Sequence, residues 1–307
     1  MIKKTNKKKI TGAIFFGILT IVISIWGMKQ LRGHGYYSMV KNYIHYWLNK
    51  PDLNQYEPME KNQAVWLQNS VLLAHAMGGI DNTTYSNSLE AFKQAYENGF
   101  RIFEVDFSVT SDNKVVCAHD FSNVENKTMD YDSFMNSKIE NKYSPLDVKK
   151  MVQLMKQYPD IYIMTDFKWD NSLGSDHKEV ITIIEEIVKE AKEQQEELLQ
   201  RFIVQIYGPD SYEIIEKIYP FEHYVYTLYH YASPIYEEIL AFCLEHNIPV
   251  VAMGIERINQ ERTKYFEDWN IDVLVYTVNE LEKSKELVDY GVDGIYTDWL
   301  LPKDLAE

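Results

Sequence analysis

A chain of 307 residues with 46% hydrophobic and 25% charged residues has the size and composition of one large globular domain or two small ones. Its net charge of −15 is unevenly spread: residues 1–32 hold seven of the 31 Lys+Arg and none of the 46 Asp+Glu, which leaves 24 basic against 46 acidic residues elsewhere, a net of −22. A body this acidic is repelled by nucleic acid and gains nothing from an anionic membrane surface, so neither is expected as a partner of the main domain.

The chain begins with a basic tail over 1–9, carrying Lys3, Lys4, Lys7, Lys8 and Lys9, followed by an uncharged apolar run over 10–28. As a helix that run spans about 29 Å, close to the roughly 30 Å hydrocarbon core of a bilayer. A cleaved signal peptide has the same basic start. This run is longer than a usual signal core, however, and Trp26-Gly27-Met28-Lys29 offers no small-x-small cleavage site. The reading is therefore an uncleaved anchor, with the lysines holding the N-terminus in the cytoplasm and the rest of the chain outside. Residues 29–68, punctuated by Gly33, Gly35 and Pro51 and rich in aromatics, read as a juxtamembrane connector. The two cysteines, Cys117 and Cys243, lie in apolar segments and read as buried free thiols.

From 69 to 307 short apolar runs alternate with amphipathic helical stretches. Strand candidates are 71–75, 102–107, 115–119, 161–167, 202–206, 224–228, 249–253, 273–278 and 294–297. Helix candidates are 88–98, 145–157, 178–199, 212–218, 234–245 and 281–290. Such alternation predicts a parallel sheet, and at this length a single (βα)8 barrel. An open doubly wound sheet is the alternative, but no Gly-rich nucleotide loop follows any strand. Nine candidates compete for eight barrel places, and 249–253 is the one expected to be irregular.

The chemistry concentrates near strand ends. Alternation puts Glu104 and Asp106 on one face and Phe103, Val105 and Phe107 on the other, so the carboxylates face the barrel mouth while the apolar set packs under helices. Two carboxylates together repel one another unless a cation such as Mg²⁺ or Ca²⁺ joins them; a solvated or lysine-paired couple is the bland alternative. Asp166 and Lys168 repeat this pattern on a later strand, as a third ligand beside a cation suited to phosphate, or as a plain salt bridge. His75 and His119 each close an apolar strand, where an imidazole can accept or donate a proton near neutral pH.

These residues stand in a longer ordered set: His75, Asn87-Ser88-Leu89-Glu90-Ala91-Phe92, Glu104-Val105-Asp106, Thr110-Ser111-Asp112, His119-Asp120, Asp166-Phe167-Lys168, Tyr276-Thr277-Val278-Asn279 and Gly291-Val292-Asp293-Gly294-Ile295-Tyr296-Thr297-Asp298. From about residue 71 to 302 the set resembles the glycerophosphodiester phosphodiesterase family of barrel enzymes. The resemblance implies a metal-dependent phosphodiesterase with Glu104, Asp106 and Asp166 on one divalent cation, Mg²⁺ or Ca²⁺, and His75 and His119 as acid and base. It also implies a phosphodiester substrate of lipid, cell-wall or capsular origin. Departures mark a divergent member: Ala76 stands where the family has an arginine after the first histidine, Ser86 where it has a glutamate, and Tyr276 where it has a tryptophan. Lys168, the amides of Gly78 and Gly79, and Tyr276 are the residues left to hold substrate. Ala76 also favours an alternative, a catalytically inactive barrel that binds a glycerophosphate-type polymer or a partner protein. A metal-dependent hydrolase of another bond is a further alternative.

Overall fold

The computed structural model describes residues 50–68, 71–122, 129–169, 175–231 and 234–305. The basic tail, the apolar run over 10–28 and the connector up to 49 lie outside these residues. Among the described residues no helix is long and apolar enough to cross a membrane. Contacts divide the chain into a small unit that includes 50–53 and 234–238 and a large unit, Asn54–Ala232 with Ile239–Glu307. The large unit carries the sheet and the candidate site.

Nine strands among the described residues form one sheet: β1 (Leu72–Ala74), β2 (Ile102–Val109), β3 (Val115–Cys117), β4 (Tyr162–Phe167), β5 (Phe202–Ile206), β6 (His223–Thr227), β7 (Val250–Gly254), β8 (Asp272–Tyr276) and β9 (Gly294–Thr297). Eight of them are parallel, and β1 pairs with both β2 and β9, so the sheet closes on itself. The helices are α1 (Leu89–Glu97), α2 (Tyr131–Asn136), α3 (Val148–Gln157), α4 (Lys178–Gln194), α5 (Pro209–Ile218), α6 (Tyr236–His246), α7 (Gln260–Glu267) and α8 (Leu281–Asp289). This is the (βα)8 barrel that the alternation predicted. Helix starts follow the sequence: Ser88, Asp147 and Asn259 each accept an amide three residues on, and Pro209 opens α5 at a position where its missing N–H costs nothing. The short α2 and α7 are helices that the apolar pattern did not signal.

The irregular member is not the one expected. Residues 250–254 form β7, wholly buried and paired in parallel with β6 and β8. The strand outside the ring is β3, antiparallel to β2 through Phe107↔Cys117, Ser108↔Val116 and Val109↔Val115. A parallel return needs a crossover of about a dozen residues or more. Only Thr110–Lys114 links these strands, so the chain turns back as a hairpin, closed by the Thr110 amide on the Lys114 carbonyl at 2.8 Å. His119 therefore stands beyond a hairpin arm and not at the end of a barrel strand.

Inside the barrel Leu73, Ile102, Met164, Ile203, Val225, Val250, Ala252, Leu274 and Tyr296 form one core, joined by Ala64, Trp66 and Leu67 from the connector. Burying side chains such as Trp66 and Leu67 is worth about 1.5–3 kcal/mol each, which explains why this segment packs on the barrel. Cys117 and Cys243 are buried free thiols, as read.

Candidate active site

β2 and β4 run in register with Glu104 opposite Met164 and Asp106 opposite Asp166. Two aspartates thus face each other directly across neighbouring strands, a pairing that like charge disfavours. Glu104 and Asp106 are buried and Asp166 is half-buried. One oxygen from each of the three lies within 4.8 Å of the others. Burial, reinforced by the charges of Asp106 and Asp166, pushes the Glu104 carboxyl well above its ordinary range. Burial and Asp106 push Asp166 upward too, against a hydrogen bond from Tyr207. Burial and mutual repulsion thus favour the protonated forms of Glu104 and Asp166 unless a positive charge joins them. Oxygens around one divalent cation sit about 2.0–2.6 Å from it, hence no more than about 5 Å apart, and this cluster meets that limit.

The neighbouring loops hold the carboxylates in place. Asn87 brackets Asp106, donating from Nδ2 to Oδ2 at 2.8 Å and accepting the Asp106 amide at Oδ1 at 3.0 Å. The amide of Ala76 donates to Glu104 Oε2 at 2.7 Å, and the Tyr207 hydroxyl donates to Asp166 Oδ1.

His75 follows β1 directly. Its Nδ1 lies 2.8 Å from Asp298 Oδ1 and its Nε2 3.9 Å from Glu104 Oε2. A carboxylate only accepts, so Nδ1 carries the proton and Nε2 presents a lone pair toward the carboxylate cluster. Burial pulls the basicity of His75 down, but the hydrogen bond and charge of Asp298, with Asp106 and Asp166, outweigh it and hold the pKa above 6.5. Asp298 is fixed in turn by Asn279, which donates to its Oδ2 and accepts its amide, both at 2.8 Å. His119 is the more open of the two, 40% exposed against 13% for His75, with Nδ1 3.2 Å from Asp120 Oδ2. The Tyr85 ring sits between the histidines, with ring centres 4.8 Å from His75 and 4.9 Å from His119.

His75, His119, Glu104, Asp166, Lys168 and Tyr276 all line one cavity of about 310 Å³ at the barrel mouth. Lys168 is the one lysine or arginine among its described lining residues, and no carboxylate pairs with it among the described residues. Gly78 and Gly79 are not brought there: their amides donate to the carbonyls of His75 at 2.7 Å and Asp298 at 2.8 Å, so neither is free for substrate. A side chain at Gly79 would meet the Trp299 ring at 2.4 Å, so close packing, and not anion binding, requires this glycine. Sequence reading missed Tyr85, Tyr207 and His230, and placed Asn279 and Asp298 in the ordered set without giving the pair a role. Asp298 carried a signal, being an acid directly after a barrel strand; Tyr85 and His230 lie in loops that carry none.

The family pattern of glycerophosphoryl diester phosphodiesterases matches residues 78–300. No curated protein matches the sequence. Among solved structures, a Silicibacter pomeroyi chain assigned to that activity is 18% identical, with a TM-score of 0.63 over 80% of this chain and 96% of its own. A glycerophosphodiester phosphodiesterase of Parabacteroides distasonis is 19% identical, with a TM-score of 0.61 over 77% and 94%. A phosphodiesterase of Oleispira antarctica, solved with its product sn-glycerol-3-phosphate, is 13% identical, with a TM-score of 0.60 over 76% and 94%. The matched pattern spans most of the chain, which belongs to the glycerophosphoryl diester phosphodiesterase family and is by that membership a phosphoric diester hydrolase.

Proposed function

We propose that this chain is a membrane-anchored, metal-dependent phosphodiesterase of glycerophosphodiester type, working outside the cytoplasm on a lipid, wall or capsular phosphodiester. The observation that carries the catalytic part is one cavity lined by His75, His119, Glu104, Asp166 and Lys168, with Asp106 clustered with the two carboxylates. Glu104, Asp106 and Asp166 would hold one divalent cation, Mg²⁺ or Ca²⁺. When bound, such an ion supplies Lewis-acid polarisation of the phosphoryl group and neutralises developing charge.

The residues of the chain do the rest. His75 Nε2 takes the proton of the attacking hydroxyl, from water or from a neighbouring hydroxyl of the substrate, as the new P–O bond forms. Asp298 holds the ring in the required tautomer and favours the imidazolium that results. His119 gives its proton to the departing alkoxide as the second P–O bond breaks, with its Nδ1 held beside Asp120 Oδ2. Lys168 holds a non-bridging phosphate oxygen in place of the arginine that Ala76 displaces. Tyr276 borders the side of the cavity that would take the rest of the substrate.

The test uses the full chain in detergent and a panel of glycerophosphodiesters, lysophospholipids and a glycerophosphate polymer. Turnover of at least one, lost with chelator and restored by Mg²⁺ or Ca²⁺, is the expected result. No turnover with either ion sinks the catalytic reading and leaves the polymer-binding barrel. The anchor rests on the apolar run over 10–28 and the lysines before it. Protease applied to wall-permeabilised intact cells should cleave the barrel domain and spare the N-terminal lysines.

A further inference from the structure

Tyr207 is the first residue after β5, beside β4 and its Asp166. It is buried in the wall of the mouth cavity and is pinned from several sides. Its amide donates to Ser211 Oγ in α5 at 2.8 Å, and that hydroxyl donates to the Gly208 carbonyl at 2.7 Å. Its ring meets Phe167 and His230 edge-on, at 5.4 Å and 5.1 Å between centres. Its oxygen accepts the Phe167 amide at 3.3 Å and donates to Asp166 Oδ1. A phenol has one proton, and this one is committed to Asp166, so Tyr207 has no proton to offer a phosphate. Among the described residues nothing donates to Asp166 Oδ2, which leaves that oxygen to a cation.

We propose that Tyr207 is a positioning residue for the carboxylate site: anchored by the Phe167 amide, its hydroxyl fixes the rotation of the Asp166 carboxylate and so presets it for a divalent cation shared with Glu104 and Asp106. The inference rests on the metal-dependent reading above. Freed of this hydrogen bond, the Asp166 side chain must be ordered by the cation itself, at a cost to affinity. Removing the outer partner of a ligand typically weakens metal binding about 10–100-fold.

The experiment is calorimetric titration of chelator-treated full-length protein with Mg²⁺ and with Ca²⁺, in the wild type, Tyr207→Phe and Asp166→Asn. Tyr207→Phe should bind the ion about 10–100-fold more weakly and Asp166→Asn should lose measurable binding. In turnover, the ion concentration for half-maximal rate should rise by the same factor in Tyr207→Phe, and excess ion should restore the rate with the substrate KM unchanged. Tyr207→Met, which also lacks the hydroxyl, must show the same weakening, so the result does not hang on one variant folding. Wild-type affinity in Tyr207→Phe alongside lost binding in Asp166→Asn overturns the role of Tyr207 and leaves the metal site standing. A raised substrate KM at saturating ion overturns it as well, because it makes Tyr207 a substrate contact. No binding in the wild type, or undiminished binding in Asp166→Asn, fails the metal reading itself and the inference with it.

Discussion

At the mouth of the barrel Glu104 and Asp166 border a cavity of about 310 Å³ together with His75, His119 and Lys168. At the opposite end Asp272 and Asp293 border a larger cavity, about 550 Å³, whose other described lining residues include no histidine, lysine or arginine. Both ends carry carboxylates with raised pKa, Glu104 and Asp166 at the mouth and the half-buried Asp272 with the exposed Asp293 at the floor. At the floor, burial and then Asp293 push Asp272 up to about 7, while Asp293 Oδ2 accepts the Val273 amide at 2.8 Å and so secures the start of β8. The difference teaches that neither cavity size nor a perturbed acid marks the reactive end. What marks it is carboxylates converging on one point with two histidines and a lysine around them.

The sharpest test of that contrast lies in the histidines. His75→Ala and His119→Ala should each lower turnover about 10²–10⁴-fold while the fold is kept, read by steady-state assay and circular dichroism. A leaving group of low pKa should rescue the variant that lacks the acid, expected to be His119→Ala. Equal loss on both leaving groups would reverse or remove that assignment. Next comes Lys168→Met: a charge-assisted hydrogen bond is worth about 1.5–3 kcal/mol, so kcat/KM should fall about 10–100-fold. An unchanged KM and rate would show that the phosphate is gripped elsewhere.

A smaller effect is expected from Asp298→Asn, which should lose less than His75→Ala. Asp298 raises the His75 pKa, so its removal lowers that pKa and keeps Nε2 unprotonated at lower pH. The acid limb of the kcat/KM profile should therefore move to lower pH; a fixed limb would mean that another group sets it. The least effect on activity is expected at the floor. Asp272 is an acid whose folded pKa, about 7, lies above its ordinary 3.8, so the folded state binds a proton that the unfolded state does not across that window. Its contribution to stability falls as pH rises from about 4 to 7 and stays lost above that. Asp272→Asn should therefore melt on the order of 2 °C higher at pH 8 and nearly unchanged at pH 4, with turnover as in the wild type. A loss of turnover would make the floor part of the site.

The sequence already exposed the barrel and the inward face of Glu104 and Asp106, because strand alternation and strand–helix rhythm are local properties. That Asp166 joins Glu104 and Asp106 was expected, but its direct pairing opposite Asp106 was not legible, since it depends on the register between β2 and β4. β3 was misread because Val115-Val116-Cys117-Ala118 has the composition of a buried barrel strand; the length of the preceding link was the clue that outranked composition. The pair Gly78–Gly79 looked like an anion cradle, yet its amides were already spent on His75 and Asp298. Tyr207 escaped notice because an aromatic residue after a strand ordinarily belongs to the core, and only the partner of its hydroxyl distinguishes it.

The hairpin formed by β2 and β3 separates two design variables that a simple barrel ties together. His75 is set by the closed ring of parallel strands, and any shift of it disturbs Asp298 and the β1–β9 seam. His119 is set by the length of an arm, through three antiparallel pairs and a turn at Thr110–Lys114. Insertions or deletions in that turn would reposition His119 at the mouth without changing a single parallel pairing. The spacing between His75 and His119, the proposed base and acid, is thus an adjustable dimension of this scaffold, one that would let a barrel be refitted to phosphodiesters of different bulk.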